Sequence, residues 1–230
     1  MPAEAANSIP PPATPWQMYR AMVGVGMGCA LLIVSVYQWT LPVITRKRAE
    51  ALSTAVLKVL PGATTKRAFM VEDGQLRPAG VSAAEEIYAA YDQGGTLVGI
   101  AIPAEGMGYQ DTIRSIYGYD PEHERIIGFH VLESRETPGL GDRIGIDPGF
   151  LKNFAALDAS LAANGNTLHA ITAVKRGEKS EAWEIDGISG ATVSSVAVAN
   201  LLQTSAAKWM PLIQQNRNIL RAKEVPHAKP

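Results

Sequence analysis

The sequence predicts an α+β fold in which a single N-terminal transmembrane helix precedes a mainly antiparallel sheet domain. Three observations lead to this prediction. Residues 21–45 contain no charged side chain, several pairs of β-rich segments follow them, and the remaining helical patterns are few. Because strands are not alternating with helices along the chain, a parallel βαβ architecture is disfavoured.

The uncharged run at residues 21–45 is predicted to be the transmembrane helix. At about 1.5 Å per residue it would be roughly 37 Å long, which is enough to cross a hydrocarbon core of about 30 Å. A cleaved signal peptide and a buried core helix are the alternatives, but both usually have shorter apolar runs. Residues 1–20 are predicted to be a disordered tail, since Pro and Ala dominate that segment.

Residues 46–79 are predicted to be a connecting helix and a linker. The helical part, RKRAEALSTAVLKVL, has its apolar residues on one stripe, and Pro61-Gly62 ends it.

The predicted sheet domain covers residues 80–210 and contains three hairpin-like units. A helix is expected at residues 148–161, with Asp147 as its N-cap, and another at residues 192–209, ended by Pro211. Residues 211–230 are then a C-terminal tail. The paired segments are residues 86–91 with 96–102, residues 112–117 with 126–132, and residues 169–174 with 182–185.

Composition limits the chemistry that the soluble part can perform. The formal net charge is −1, so no excess of positive charge suggests a nucleic-acid partner. The single cysteine, Cys29, lies in the uncharged run, which excludes an internal disulfide and a thiolate-ligated cluster elsewhere. The four histidines lack the spacing of a metal site. We therefore expect no protein metal site, and any redox centre to be organic or held without sulfur.

Residues 186–195, DGISGATVSS, place four hydroxyl side chains where the last predicted helix begins. Gly190 lets the backbone approach a ligand closely, and Thr192 presents a hydroxyl beside the first amides of the helix. Such amides, with the helix dipole, favour a phosphate group. Two other interpretations remain open. These residues are ordinary N-caps, or Thr192 is a hydrolytic nucleophile, although no G-x-S-x-G elbow accompanies it.

Residues 135–144, RETPGLGDRI, are the second candidate segment. Pro138 restricts the backbone, whereas Gly139 and Gly141 permit left-handed conformations, so a flat ligand could approach a rigid loop. The alternative is a tight turn after a strand, with Glu136 solvated. A third segment, residues 106–109 (GMGY), is a weaker candidate because two glycines after a strand most often form a turn.

Together, the two stronger motifs resemble those of RnfG, the FMN-binding component of Rnf electron-transport complexes, to which NqrC of the sodium-pumping NADH:quinone reductase is similar. Residues 186–192, DGISGAT, match the D-x-x-[ST]-G-A-T acceptor signature for covalent flavinylation, and residues 136–141, ETPGLG, match a second signature.

The resemblance implies a set of flavin-binding residues. Thr192 would carry FMN as a phosphoester that a flavin transferase makes from FAD. Ser194 and Ser195 would offer further donors near the phosphate. The other cofactor-binding residues would be Ser189, Gly190 and Ala191 at the attachment turn, and Glu136, Thr137, Gly139 and Leu140 along the isoalloxazine.

The resemblance also implies a function and partners. The chain would be a membrane-anchored electron-transfer subunit, not catalytic alone, that relays electrons within an Rnf-type complex. Its partners would be integral-membrane and redox subunits, membrane lipid and the flavin transferase. The alternatives are a flavin-free assembly subunit, or the same flavin relay in a different membrane redox or photosynthetic complex.

Two signals disagree about the orientation of the domain. Only Arg20 flanks the predicted span on its N-terminal side, whereas Arg46, Lys47 and Arg48 follow it, which by the positive-inside rule predicts a cytoplasmic domain. A long domain can translocate largely regardless of nearby charge. The resemblance implies the periplasmic face of a bacterial inner membrane, and we adopt that expectation.

Overall fold

The structure of the chain is a computed structural model. The chain divides into two compact units, Met1–Glu50 and Ala51–Pro230. The structure describes residues 14–72, 74–79, 86–163 and 165–221. Residues 1–13 and 222–230, which belong to the two predicted tails, lie outside the described residues.

In the first unit, residues 15–50 belong to one long helix, α1, which extends over Pro15–Val59. The predicted disordered tail is wrong for residues 15–20, because the chain already has a helix start at Thr14. The Thr14 amide donates to the Gln17 side-chain oxygen at 3.1 Å, and a proline suits the first helical position. The helix is long and apolar enough to cross a membrane.

The second unit confirms the predicted α+β fold. Over the residues described, seven strands form one antiparallel sheet in the order β2-β1-β3-β4-β5-β6-β7. The strands are β1 Thr65–Glu72, β2 Gln75–Pro78, β3 Glu86–Tyr91, β4 Leu97–Met107, β5 Thr112–Asp120, β6 Arg125–Glu133, β7 Leu157–Asp158, β8 Thr172–Val174 and β9 Glu184–Asp186. The other helices are α2 Pro148–Leu151, α3 Thr192–Gln215 and α4 Arg217–Arg221.

The first two predicted hairpin units are present, as β3 with β4 and β5 with β6. The third is not a hairpin, since β8 and β9 pair in parallel. Strands β1 and β2 were not predicted, and they lie in the segment assigned to the linker. A signal was available in the sequence, because Asp-Gly at positions 73 and 74 is a dipeptide typical of two-residue hairpin turns. In the structure Glu72 pairs with Gln75.

The helix predicted over residues 148–161 is much shorter in the structure. It ends as α2 at Leu151, a 3-10 turn follows, and Leu157 then pairs with Ile126 as an added sheet strand. Its predicted N-cap is confirmed, because the Phe150 amide donates to the Asp147 carboxylate at 3.0 Å.

Helix α3 does not end at Pro211 as predicted but continues to Gln215. A proline inside a helix removes one backbone hydrogen bond. Here Met210 and Ile213, on either side of it, are fully buried in the core, and their burial offsets the lost bond. Asn216 closes the helix through its amide, which donates to the carbonyl groups of Leu212 and Ile213.

Helix α3 packs on one face of the sheet and forms the main core. Val198 and Leu202 of α3 are buried in one cluster with Ile100, Ile102 and Tyr117 of β4 and β5. The Tyr117 hydroxyl also forms a hydrogen bond with the Ser205 hydroxyl of α3 at 3.0 Å. These contacts fix the position of α3 on the sheet.

The end of α1, within the second unit, packs on the opposite face of the sheet. Val56, Val59 and Leu60 are buried there with Ala101 and Ile116. The sheet therefore has a helical layer on each face. Small residues in the sheet allow the backbone at the end of α1 to approach the sheet closely.

The environment of the Asp147 carboxyl predicts that the stability of the folded protein depends on pH. The hydrogen bond from the Phe150 amide, opposed by burial and assisted by Arg143, lowers the pKa of the Asp147 carboxyl below its usual value. A depressed pKa stabilises the folded state above the unfolded pKa of about 3.9, and this contribution is lost as pH falls through the folded pKa. Because solvent screens a charge near the surface, Asp147→Asn should therefore destabilise the full-length protein by less than about 1 kcal/mol near pH 7.

Urea unfolding of the wild type and Asp147→Asn at a series of pH values measures this difference. Because asparagine is also a good N-cap, the variant isolates the charge. We expect the two stabilities to converge as pH falls below about 4. A difference that stays constant down to the acid limit would contradict the interpretation.

Candidate functional site

The three segments singled out in the sequence meet at the N-terminal end of α3. The GMGY segment ends β4, the ETPGLG segment follows β6, and the DGISGAT segment runs from the end of β9 into α3. Glu136 links the first segment to α3, as its carboxylate accepts from the Gln110 amide at 3.0 Å and from the Ser194 hydroxyl. Leu140 lies beside Gly190, since a Cβ placed on that glycine would be 3.8 Å from Leu140 Cδ2.

The start of α3 has a sharp turn and no side-chain cap. Gly190 adopts a left-handed conformation with φ of 83°, and the Ala191 amide closes the turn on the Ile188 carbonyl at 3.0 Å. Ala191 occupies the N-cap position and provides no capping hydrogen bond. The first amides of a helix have no acceptor within the helix, so this end offers donors to a ligand.

The four hydroxyl groups of this segment divide into two pairs. Ser189 and Thr192 are exposed, whereas Ser194 and Ser195 are buried. The Ser195 hydroxyl accepts from the Ile188 amide at 3.0 Å and donates to the Ala191 carbonyl at 2.9 Å. The Ser194 hydroxyl donates to Glu136. The expectation that Ser194 and Ser195 donate to a phosphate is therefore wrong, because helical periodicity turns both towards the core.

Asp186 holds the turn that precedes the exposed hydroxyls. One of its carboxylate oxygens accepts from the Gly177 amide at 2.6 Å. Its backbone amide and carbonyl bond to the Asn153 side chain at 3.0 and 3.1 Å. The adjacent Gly187 amide donates to the Val174 carbonyl at 3.0 Å. These bonds give Asp186 a structural role in positioning the segment that leads to Thr192.

The ETPGLG loop presents an apolar side chain beside this turn. Gly139 has a φ of 77°, in agreement with the left-handed conformation expected from the sequence, and the Leu140 amide donates to the Thr137 carbonyl at 3.1 Å. Leu140 is half exposed, and Thr137 is partly buried. Glu136, in contrast, is only 5% exposed, so the alternative of a solvated Glu136 is wrong.

The GMGY segment is more than a turn. A Cβ on Gly106 would be 2.8 Å from Leu201 Cβ, and one on Gly108 would be 2.5 Å from the Glu136 carboxylate. Met107 and Tyr109 point outwards and are largely exposed. Both glycines are therefore required for close packing, a role that spacing along the sequence does not reveal.

This geometry is compatible with a phosphate and a flat apolar ring. Thr192 supplies an exposed hydroxyl beside the free amides of α3, and Gly190 lets the backbone approach closely. Leu140 and Val193 provide exposed apolar surface in the same two segments, the ETPGLG loop and the start of α3. The residues present therefore fit a phosphorylated, ring-containing cofactor such as a flavin nucleotide.

Comparison with known proteins supports this interpretation of the site. Residues 108–207, a segment that includes the site, match the family described as the FMN-binding domain. The matched segment is therefore similar to the FMN-binding domain.

Curated relatives extend the likeness beyond that segment, and the chain is homologous to the G subunits of ion-translocating oxidoreductase complexes. The G subunit of the ion-translocating oxidoreductase complex of Methanosarcina acetivorans is 29% identical over 187 residues, covering 80% of this chain and 88% of that protein. The G subunit of the proton-translocating ferredoxin:NAD(+) oxidoreductase complex of Clostridium ljungdahlii is 29% identical over 168 residues, covering 73% and 77%. The resemblance stated from the motifs is confirmed.

Solved structures share the fold over about three quarters of this chain. The C subunit of the Na(+)-translocating NADH-quinone reductase from Parabacteroides distasonis superimposes with a TM-score of 0.58 at 20% identity, covering 75% of this chain and 97% of that one. NqrC of Shewanella oneidensis gives 0.57 at 18% identity, covering 76% and 98%.

Proposed function

We propose that this chain is a membrane-anchored electron-transfer subunit of an Rnf-type complex, and that it carries FMN through a phosphoester to Thr192. The observation that carries the proposal is the position of Thr192. Its exposed hydroxyl lies on the uncapped first turn of α3, two residues after left-handed Gly190, in the segment that matches the FMN-binding domain. The names of the two relatives described above support membership of a redox complex.

Thr192 is a better acceptor than its exposed neighbour Ser189. Ser189 precedes the turn, whereas Thr192 lies in the first helical turn, where amides and the helix dipole stabilise phosphate oxygens. Ser194 and Ser195 are unavailable since their hydroxyls are buried and bonded. The exposure of the hydroxyl and the electrostatics of the helix start therefore both favour Thr192 as the acceptor.

The proposed attachment is a phosphoryl transfer without a change in oxidation state. Thr192 Oγ1 forms a bond to the phosphorus of the FMN half of FAD, and the bond from that phosphorus to the bridging oxygen breaks. AMP leaves with the bonding electrons, and the threonine hydroxyl loses its proton. Because an unassisted hydroxyl is a weak nucleophile at neutral pH, a flavin transferase is needed to accept that proton.

The residues of this chain then hold and shield the cofactor, which supplies electron transfer when bound. We assign the phosphate to Thr192 and to the free amides at the start of α3. Ser189, Gly190 and Ala191 form the attachment turn, and Thr137, Gly139 and Leu140 line one side of the ring. Covalent attachment keeps the cofactor from dissociating between successive electron transfers.

The proposed anchor is the apolar part of α1. Aromatic residues lie at both ends of this part, Trp16 and Tyr19 at one and Tyr37 and Trp39 at the other, and all four are exposed. Trp and Tyr are enriched at membrane interfaces, and the 24 residues from Trp16 to Trp39 correspond to about 35 Å of helix. We propose a periplasmic domain, the side on which the transferase of this pathway acts.

Purification from native membranes tests the proposed function. We expect flavin fluorescence that survives denaturation and migrates with this chain, together with co-purification of other membrane redox subunits. Protein expressed without a flavin transferase is the control and should not fluoresce. A non-fluorescent chain in an intact complex would instead support a flavin-free assembly subunit. Co-purification with unrelated redox subunits would place the relay in a different complex.

A further inference from the structure

We propose that Glu136 is the positioning residue of the flavin site. Its buried carboxylate joins three backbone segments that form the site. The inference rests on the proposed function for the identity of the ligand, but the junction itself is a property of the flavin-free protein. It assigns Glu136 a role distinct from lining the isoalloxazine.

The carboxylate of Glu136 connects segments that are distant in the sequence. One oxygen accepts from the Gln110 amide at 3.0 Å, at the end of the GMGY segment. The other accepts from the Ser194 hydroxyl on the first turn of α3. Glu136 itself begins the ETPGLG loop. One side chain therefore holds all three segments in a single arrangement.

Two glycines make room for this carboxylate. A Cβ on Gly108 would lie 2.5 Å from Glu136 Oε1, and one on Gly141 would lie 2.6 Å from Oε2. Neither glycine has a positive φ, so backbone conformation does not require them. At both positions the nearest atom that a Cβ would meet belongs to the Glu136 carboxylate, so each glycine leaves space for that side chain.

Burial makes the two hydrogen bonds energetically important. Glu136 is 5% exposed, and a buried polar group that loses its partners cannot recover them from water. Ser194 is two residues after Thr192 on the same helical turn. Fixing Ser194 therefore fixes the first turn of α3, with the acceptor hydroxyl, relative to Leu140 on the loop.

A positioning role differs from a chemical role in its response to glutamine. Glutamine has the same shape, keeps an acceptor for the Gln110 amide and offers an N–H donor to the Ser194 oxygen. It cannot act as a base. Glu136→Gln should preserve the junction, whereas Glu136→Ala removes it. Ser194→Ala removes one of the two hydrogen bonds of the junction, and it deletes only a hydroxyl group.

Hydrogen exchange of the flavin-free, full-length protein tests the junction directly. We expect amide exchange in the peptide containing Gln110 to accelerate about tenfold in Glu136→Ala, the factor that corresponds to loss of about 1.4 kcal/mol. Exchange in Glu136→Gln should stay within about threefold of the wild type. Glu133→Gln is the matched control, because Glu133 is a partly exposed glutamate three residues before Glu136, at the end of β6, and it should exchange like the wild type.

The same variants, coexpressed with a flavin transferase, test the effect on the site. We expect the flavinylation rate to fall at least about tenfold in Glu136→Ala and to remain near the wild-type rate in Glu136→Gln. If Glu136→Ala does not fold, Ser194→Ala provides the comparison and should show a smaller loss in both measurements.

Two outcomes would overturn the proposal. One is unchanged exchange in both Glu136→Ala and Ser194→Ala. The other is a Glu136→Gln variant that keeps its amide protection but loses flavinylation as fully as Glu136→Ala, since that result assigns the carboxylate a chemical role. A wild type that accepts no flavin contradicts the proposed function alone, because the exchange measurement still decides whether the junction exists.

Discussion

Replacing Thr192 with alanine is expected to abolish covalent flavin attachment completely. The hydroxyl of Thr192 is the proposed nucleophile, and Ser194 and Ser195, its neighbours on the helix, have buried and bonded hydroxyls. No substitute oxygen is therefore presented on the first turn of α3. The measurement is in-gel flavin fluorescence after denaturation, with the transferase coexpressed.

Two control variants sharpen this test. Thr192→Ser retains a hydroxyl in the same place and should retain attachment. Ser189→Ala removes the other exposed hydroxyl of the segment and should leave fluorescence close to the wild-type level. Equal fluorescence in Thr192→Ala and the wild type would show that the flavin is bonded elsewhere.

The second large effect concerns stability, at the face of the sheet covered by the end of α1. Gly118 and Gly128 are directly paired on β5 and β6. A Cβ on Gly128 would lie 2.4 Å from the Val59 carbonyl oxygen, and one on Gly118 would lie 2.3 Å from the same atom. The obstruction is backbone, which no side-chain rotation relieves. We expect Gly128→Ala to destabilise the protein by about 2–3 kcal/mol.

Chemical denaturation of the full-length protein in detergent measures this cost. Gly145→Ala is the matched control, because a Cβ there meets only Val131 side-chain atoms at 3.5 Å or more and the backbone has no positive φ. Its effect should stay within about 0.5 kcal/mol. A Gly128→Ala protein as stable as the wild type would show that the end of α1 does not lie against the sheet in this way.

Local signals in the sequence predicted much of the fold. Apolar runs on either side of turn residues located β3 to β6, and Asp147 followed by Pro148 identified the start of α2. The start of α3 at Thr192 followed from the change from glycine to a helical pattern. In each case the determining residues are close together in the chain, so local propensity and structure agree.

Two of the errors arose where distant contacts decide the structure. Pro211 normally ends a helix, but buried Met210 and Ile213 extend α3 past it. The parallel pairing of β8 with β9 depends on packing against α3 and not on the turn between the strands. Local pattern carries no information about such contacts.

In the candidate site, too, features set by local sequence were predicted, whereas contacts between distant segments were not. The sequence located Thr192, Gly190 and the ETPGLG loop, because their residue types have recognisable conformational uses. It did not show that Glu136 is buried or that it bonds to Ser194, 58 positions away. That pairing exists only after β6 and α3 have been placed side by side.

The central claim is that Thr192 is bonded to the phosphate of FMN, and peptide mapping of the wild-type protein from its native membrane tests it most directly. Cleavage after Lys179 and Lys208 releases one peptide that contains both Ser189 and Thr192. The account predicts that this peptide carries the FMN phosphoryl group and that fragment ions place it on Thr192. An unmodified peptide, or a modification at Ser189, would contradict it.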